Sequence, residues 1–424
     1  MTTLIIGGGW SGLAAAVTLC QRGESVHVIE SAKQLGGRAR NVQWHEKTID
    51  NGQHLMIGAY TEMLEMMKII NVDPKLAFTR HTLDLSIVDD VYPTLKLSGN
   101  NYLPWPLSLA WSVIQCSGLK GLLQVQRLKN NISKLLQNSD ISVSEWLLKA
   151  RQSERLIKQL WEPLCLATLN TPIAEASAHA LATVIRDSLG SGKAAADLLI
   201  PRQPLGDVMP QATANYLNDN GCKISLQTRA SEIVAEQNKI TGIKTHDGEF
   251  IAADNIIVAT GPQHTNQLIG PYSSIDTPAF FPIATVYLQY PANCRLTKAL
   301  FGMSGSISQW IFDRSQQHPG LMAVVISGPG KHETMTNIEL SDLVSEEVHR
   351  YFPELPAHAE DSLVIREKRA TFACTVGIEK QRPKQETEVE GLWLAGDYIA
   401  NDYPATLEGA IRNGKNCALV VLNS

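Results

Sequence analysis

Residues 3–12 read Thr3-Leu4-Ile5-Ile6-Gly7-Gly8-Gly9-Trp10-Ser11-Gly12. A short apolar run leads into a G-x-G-x-x-G at Gly7, Gly9 and Gly12. Leu13 to Gln21 then predicts a helix, and Ser25-Val26-His27-Val28-Ile29 a second buried strand ending at Glu30. Strand, glycine turn, helix, strand and acid stand at the distances a dinucleotide site requires. Gly7 permits the tight turn, Gly9 lets backbone approach a pyrophosphate, and Gly12 lets helix and strand pack closely. The helix start, carrying Trp10 and Ser11, offers unpaired N–H groups and a positive dipole end to phosphates. Glu30, eighteen residues past Gly12, is placed to accept hydrogen bonds from an adenosine ribose. Any strand-to-helix turn favours glycine, so the triplet alone says little; the complete unit carries the reading.

Three further stretches belong with it. Leu35-Gly36-Gly37-Arg38-Ala39-Arg40 follows closely on Glu30. Gly36 and Gly37 let backbone come near a cofactor, and Arg38 can neutralise a pyrophosphate with its forked donors; the plainer alternative for Arg38 and Arg40 is two solvated loop charges. Ile49-Asp50-Asn51-Gly52-Gln53-His54-Leu55 is a turn that brings Gln53 and His54 toward the same place. His54 reads about equally as a catalytic side chain and as a histidine satisfied in a core turn. At the far end, Gly391-Leu392-Trp393-Leu394-Ala395-Gly396-Asp397-Tyr398 is a buried strand ending in Gly-Asp. Pro404-Ala405-Thr406-Leu407-Glu408-Gly409-Ala410-Ile411 then opens a last helix, whose N-terminus would stabilise an anion.

The chain of 424 residues is long enough for a large core and suggests two interleaved domains. A net charge of −5 gives no general attraction to nucleic acid. Seven cysteines lie far apart with no C-x-x-C, which predicts reduced thiols in a cytoplasmic setting and no metal site. The chain enters its first strand at once, without a signal peptide, and no apolar run reaches the roughly 18 residues of a membrane span.

The middle of the chain is less regular. Thr61 to Asn71 predicts an amphipathic helix. From Val91 to Ser139 there is no Asp or Glu, whereas Lys96, Lys120, Arg127, Lys129 and Lys134 are present. Leu119, Leu122, Leu123, Leu128, Ile132, Leu135 and Leu136 recur at helical spacing, opposite a stripe of Lys120, Gln124, Arg127, Asn131 and Lys134. Two readings stand near even: a helix lying in a membrane surface, or an ordinary packed helix. Ser142-Val143-Ser144-Glu145 predicts a cap on a helix running to Leu160, ending in Trp161-Glu162-Pro163-Leu164 and then Asn170-Thr171-Pro172. Alternation around Lys223–Leu226, Ala230–Val234 and Ile240–Lys244 predicts strands, and Asn255–Val258 a buried strand closing on Ala259-Thr260-Gly261. Between 266 and 365, strands at Ala284–Tyr290 and Leu321–Ser327 and a helix at Ser341–Tyr351 are expected.

Taken together, these motifs resemble the flavoproteins with a glycine pair and arginine after the first unit: flavin amine oxidases, phytoene desaturases and their relatives. Asn51-Gly52-Gln53-His54 and the Trp-Glu-Pro-Leu and Asn-Thr-Pro blocks resemble one branch, the squalene-associated FAD-dependent desaturase family of hydroxysqualene dehydroxylases. The resemblance covers essentially the whole chain. It implies an α/β fold with a Rossmann-like FAD-binding domain interleaved with a mixed α+β substrate domain. The expected division is 1–75, 201–265 and 366–424 for FAD, and 76–200 and 266–365 for substrate. It also implies that the strand at Ile233 meets adenine, that the turn at Gly261 closes beside the dinucleotide, that Gly396 and Asp397 contact the ribityl chain, and that Thr406, Leu407 and Gly409 face the flavin's pyrimidine side.

The activity implied is reductive dehydroxylation of hydroxysqualene to squalene in bacterial hopanoid synthesis. Loss of water from the protonated allylic alcohol would leave a cation that hydride from flavin N5 quenches. His54 is the first candidate proton donor, followed by Glu162 and Tyr403. The expected partners are the prenyl hydrocarbon, an external reductant for FAD and, at the periphery, lipid on the inner face of the bacterial membrane. Two other readings stay open: a desaturase or amine oxidase of the same fold, and a non-catalytic prenyl-lipid binder. No Cys lies near Gly396 for covalent flavin attachment, which weighs against an amine oxidase.

Overall fold

A computed structural model describes residues 2–99 and 102–424. One half is organised by a five-stranded parallel sheet, ordered Lys223–Ser225, Ser25–Ile29, Thr2–Ile6, Asn255–Val258 and Leu392–Leu394. Strands from the start, middle and end of the sequence thus lie side by side, in register as Ile6↔Ile29, Ile6↔Val258 and Val258↔Leu394. Asn255–Val258 is buried throughout, as the continuous apolar run of a covered parallel strand requires. The first helix, Trp10–Cys20, and the last, Leu407–Val421, cross in near-backbone contact. A Cβ on Gly414 would sit 2.0 Å from Ser11 O, so only glycine permits that approach. A three-stranded antiparallel sheet, Ala230–Glu236, Lys239–Thr245 and Phe250–Ala252, packs alongside.

The second half is a seven-stranded sheet ordered Asp361–Phe372, Phe280–Gln289, Leu321–Ser327, Trp310–Asp313, Leu300–Ser304, Asp84–Asp89 and Leu95–Ser98. It is antiparallel except where Leu300–Ser304 runs parallel to Asp84–Asp89. Two-residue alternation divides it. Val286, Leu288, Val324 and Ile326 join Leu340, Val344 and Val348 of the helix Asn337–Tyr351 in one core. Thr285, Trp310, Phe312 and Val325 line an internal cavity.

Several boundaries differ from expectation. The helix expected through Leu160 breaks after Lys149, where Arg151 has φ of +54° and Ser153 caps a new turn. A single wide turn, Ile157–Trp161, then leads into Glu162–Leu169, so Trp-Glu-Pro-Leu opens a helix instead of ending one. Pro163 follows directly on the widened turn Ile157–Trp161, whose shifted hydrogen-bond register accommodates a residue without an N–H. The expected domain boundary at 365/366 falls inside the strand Asp361–Phe372. Met56–Ile57, expected with the cofactor portion, pairs with Leu198–Pro201, which also pairs with Phe78–His81.

The basic middle, Trp105–Leu136, is helical in two halves separated by a kink at Gly118, whose φ of +67° and ψ of −174° are not helical. Leu128, Ile132 and Leu135 are buried, but Leu119 and Leu123 are exposed, and Gln124 turns inward, its Oε1 accepting from Ser153 N while its backbone carbonyl accepts from Gln152 Nε2. The predicted apolar stripe is therefore split along its length. No described helix is long and apolar enough to cross a membrane.

Candidate active site

At the glycine turn the three glycines do different work. Gly7 has φ of +112°, and a Cβ there would lie 2.7 Å from Ala259 O; one on Gly12 would lie 2.1 Å from Gly7 O. These two close the turn against the neighbouring strand and its own helix. A Cβ on Gly9 would meet nothing within 4 Å, and Gly9 borders the cavity. The arginine loop lies on this turn: Gly36 N donates to Gly8 O at 2.8 Å, and Gly37 approaches Gly9 closely enough that its Cβ would stand 3.3 Å from Gly9 Cα. Glu30 accepts from Gly8 N and from Ala32 N, both at 2.7 Å, which fixes the carboxylate at the cavity edge. The helix starting at Trp10 has no side-chain cap, and Ser11 Oγ is buried without a partner. An uncapped helix start, an open backbone at Gly9 and an orphaned hydroxyl together fit a phosphate-bearing group.

The C-terminal arm meets this turn. Arg38 pairs with Asp397 at 2.7 Å and donates to Ala370 O at 2.7 Å. The guanidinium expected on a pyrophosphate and the carboxylate expected on the ribityl chain therefore face each other at the cavity wall. Gly396 N donates to Asn413 Oδ1 at 3.0 Å, and Thr406 caps the last helix by accepting from Gly409 N at 3.0 Å. Glu408, fully buried, accepts from Glu62 N and Met63 N and from Arg412, tying that helix to Thr61–Ile69. Buried Arg382 holds the loop between. Its two terminal nitrogens donate to the carbonyls of Asp397, Ile399, Asn401 and Tyr403, at 2.7–2.8 Å, and its guanidinium lies 4.9 Å from the Phe372 ring centre.

From the turn a cavity of about 1400 Å³ runs into the second half of the molecule. Ligand pockets usually occupy about 300–1,000 Å³, so this space exceeds one compact ligand. One lobe is polar: Gly7, Gly9, Trp10, Ser11, Glu30, Gly36, Gly37, Arg38, Arg229, Ser231, Gly261, Gly396 and Asp397 border it, with Thr406 and Leu407 at the last helix start. The other is lined by Leu83, Leu85, Ile87, Leu97, Leu160, Leu164, Leu189, Phe280, Ile283, Trp310 and Phe312. Gly12, Ile233 and Gly409 are absent from the lining. Gly12 and Gly409 are packing positions; a Cβ on Gly409 would be 2.9 Å from Pro404 O. Ile233 is buried with its carbonyl on Tyr272 Oη, while Ala230 and Ser231 of its strand reach the cavity instead.

The three proton-donor candidates separate. His54 lines the cavity; burial holds its imidazole below the ordinary value, against a smaller opposing contribution from a hydrogen bond at Gly52, so it is neutral at neutral pH. Its Nδ1 is buried without a partner. Gln53 Nε2 donates to His54 O at 2.7 Å, and Gln53 Oε1 is likewise unpartnered. Glu162 is outside the lining, its carboxyl raised by burial against the charge of Lys158. The helix it opens faces the cavity through Leu164, Ala167 and Thr168 instead. Tyr403 lines the cavity and donates to Asp187 Oδ2 at 3.1 Å. Burial pushes its phenol up, so it stays protonated. Asp187 also borders the cavity and accepts from Arg186 Nε at 2.7 Å.

Asp187 was not legible beforehand, because it stands 216 positions from Tyr403 in an ordinary helix end. The Asn-Thr-Pro block is structural in part. Asn170, with φ of +49°, receives Gly328 N on its Oδ1 and donates to Phe281 O, Pro282 O and Thr371 Oγ1. It stitches the end of the helix Glu162–Leu169 to the ends of three adjacent strands of the seven-stranded sheet.

The model of the flavin containing amine oxidoreductases matches residues 10–422, and the chain belongs to that family. It is an FAD-dependent oxidoreductase, in keeping with the glycine turn, Glu30 and the Gly-Asp end. Within the family its similarity extends, over 99% of this chain, to the hydroxysqualene dehydroxylases of Zymomonas mobilis and Rhodopseudomonas palustris, each 28% identical and covered to 99% and 98% of its length. The zeta-carotene desaturase of Synechocystis is 22% identical, over 100% of this chain and 97% of that one. Among solved structures, an oxidoreductase from Methanosarcina mazei has a TM-score of 0.74 at 17% identity, each chain fully covered. Cyclohexylamine oxidase from Brevibacterium oxydans also scores 0.74 at 17% identity, with 100% of this chain and 98% of that one covered. The motif resemblance to hydroxysqualene dehydroxylases is thus matched by whole-chain similarity.

Proposed function

We propose that the chain converts hydroxysqualene to squalene and water, consuming one proton and one hydride. The observation that carries this reading is the joining, in one cavity of about 1400 Å³, of a lobe lined by the glycine turn, Glu30 and Arg38 to one walled by Leu, Ile, Phe and Trp. That wall suits a flexible hydrocarbon and excludes water from it. Reduced FAD, when bound, supplies the hydride. Gly9, Ser11, Glu30, Arg38 and Asp397 are the residues that would hold it, and no part of that set needs to move a proton. The proton is assigned to Tyr403 Oη, which lies at the cavity wall and must turn its single O–H from Asp187 Oδ2, 3.1 Å away, to the leaving hydroxyl. His54, neutral in its buried position, lends a second protic group at the cavity wall. Whole-chain similarity to dehydroxylases supports the substrate class.

Similarity to a zeta-carotene desaturase favours one other reading, oxidation of a prenyl chain in the opposite redox direction. A single experiment divides them. The flavin is reduced anaerobically and hydroxysqualene added. Squalene formed with stoichiometric flavin reoxidation is the expected result; reduction of oxidised flavin by a carotenoid precursor, with hydroxysqualene inert, would transfer the assignment to a desaturase.

A further inference from the structure

We propose that the outward face of the helix Trp105–Leu136 docks on the surface of an anionic lipid bilayer. Leu107, Trp111, Leu119 and Leu123 project from this one helix with 57%, 51%, 68% and 65% of their surface exposed. Exposed leucines scattered singly mean little, but here two large apolar side chains stand one turn apart on each side of the kink at Gly118, Leu107 with Trp111 and Leu119 with Leu123. The charges beside the patch are of one sign. Lys120, Arg127, Lys129 and Lys134 are exposed on the same helix, and no acid occurs between Val91 and Ser139. This contrasts with a chain whose net charge is −5. An apolar strip with a Trp and a basic margin matches a negatively charged interface, where rings and leucines enter the acyl boundary and ammonium groups stay at the headgroups.

The inner side of the helix connects this surface to the cavity. Ser112 Oγ donates to Lys96 O at 2.8 Å, and Trp105 Nε1 donates to Leu189 O at 3.0 Å. Leu97, next to Lys96 in its strand, and Leu189 both line the apolar lobe. One helix therefore separates the exposed patch from the lobe. The kink at Gly118 lets the first half offer Leu107 and Trp111 while the second half buries Leu128 and Ile132 against the body. Docking rests on the exposed residues alone and not on the identity of the substrate; the hydrocarbon reading only explains why a bilayer would be the source.

The test uses the full-length, FAD-loaded protein in flotation with phosphatidylglycerol–phosphatidylcholine vesicles and with phosphatidylcholine vesicles. Wild type is expected to float with the anionic vesicles, less with neutral ones and less at high salt. L119E/L123E should lower binding by about tenfold or more, since a fraction of one buried leucine's transfer energy is worth that much. K120Q/R127Q should lower it by about thirtyfold at low salt and flatten the salt dependence. Circular dichroism and flavin content should be unchanged in both variants. Wild type that stays unbound, or L119E/L123E that floats as well as wild type, overturns the proposal. So does a variant that turns a dimer into a monomer in light scattering while vesicle binding is unchanged, because the patch would then be a contact between copies. Turnover of detergent-dispersed hydroxysqualene should survive L119E/L123E, so failure of the dehydroxylase assignment and failure of docking are read in different assays.

Discussion

The two lobes of the cavity are built by different means. The cofactor lobe is made largely of backbone: Gly9 bare to the cavity, an uncapped helix start, and loops held by main-chain hydrogen bonds such as Gly36 N to Gly8 O. The apolar lobe is made of side chains drawn from Leu83 to Phe312, each replaceable by another of similar volume. The lesson is that the first lobe fixes what is bound and tolerates little change, whereas the second sets only shape and size.

The largest effect should come from closing the turn. Gly12→Val places atoms where even a Cβ lies 2.1 Å from Gly7 O, so the purified protein should carry little or no flavin, read as flavin absorbance per polypeptide. Gly9→Ala sharpens the contrast: it should fold with wild-type thermal stability yet bind FAD at least about tenfold more weakly, because its Cβ enters space open in the protein alone. Normal flavin affinity in Gly9→Ala would refute the backbone cradle.

Next in size is the proton. Tyr403→Phe should retain flavin and lose turnover by about 10²–10⁴, the usual value of a positioned acid. His54→Ala should also keep FAD and lose turnover. Near-normal rates in either variant would remove that residue from the mechanism.

A third effect concerns the frame between the lobes. Asp50 accepts from Leu205 N at 2.7 Å and is raised to about 6, mainly by burial, against the bond from Leu205 and the charge of Arg314. A carboxyl with a raised folded value stabilises the fold when protonated, and that contribution fades as pH rises through the folded value. Stability should therefore fall between about pH 4 and pH 6, by roughly 3 kcal/mol at most. Asp50→Asn should flatten thermal midpoints across that window; an unchanged profile would show that Asp50 does not titrate there.

The smallest effect belongs to the apolar lobe. Leu164→Ala should raise KM for the hydrocarbon by about threefold to tenfold and leave flavin content alone. A large loss of flavin in this variant would mean that the two lobes are not separable.

The same contrast explains what could be read beforehand. Gly7, Gly9, Gly12, Glu30 and Asp397 were legible because backbone geometry restricts residue type at fixed spacing, and the structure brings them to one cavity, Gly12 excepted as a packing position. Leu321–Ser327 alternates only in which face it offers, since it is buried on both, yet its apolar run marked it as a strand. The helix expected through Leu160 failed because capping by Ser142 promised a start and nothing local announced the break at Arg151. Asp187 and Arg382 left no sequence signal, since each acts only on chain brought close by the fold. The stripe at 119–136 was legible as amphipathic but not as divided, because burial depends on what lies opposite.

Arg382 has one evolutionary consequence. It grips carbonyl oxygens, and every amino acid brings one. The grip itself makes no demand on side chains from 397 to 403, so those without a role of their own, unlike Asp397 against Arg38 and Tyr403 against Asp187, can diverge among descendants without slackening the segment, provided this guanidinium persists. Lysine, a single ammonium without a planar fork, could not span four acceptors at once. The specificity of that segment is consequently open to revision at many positions, while its placement hangs on one.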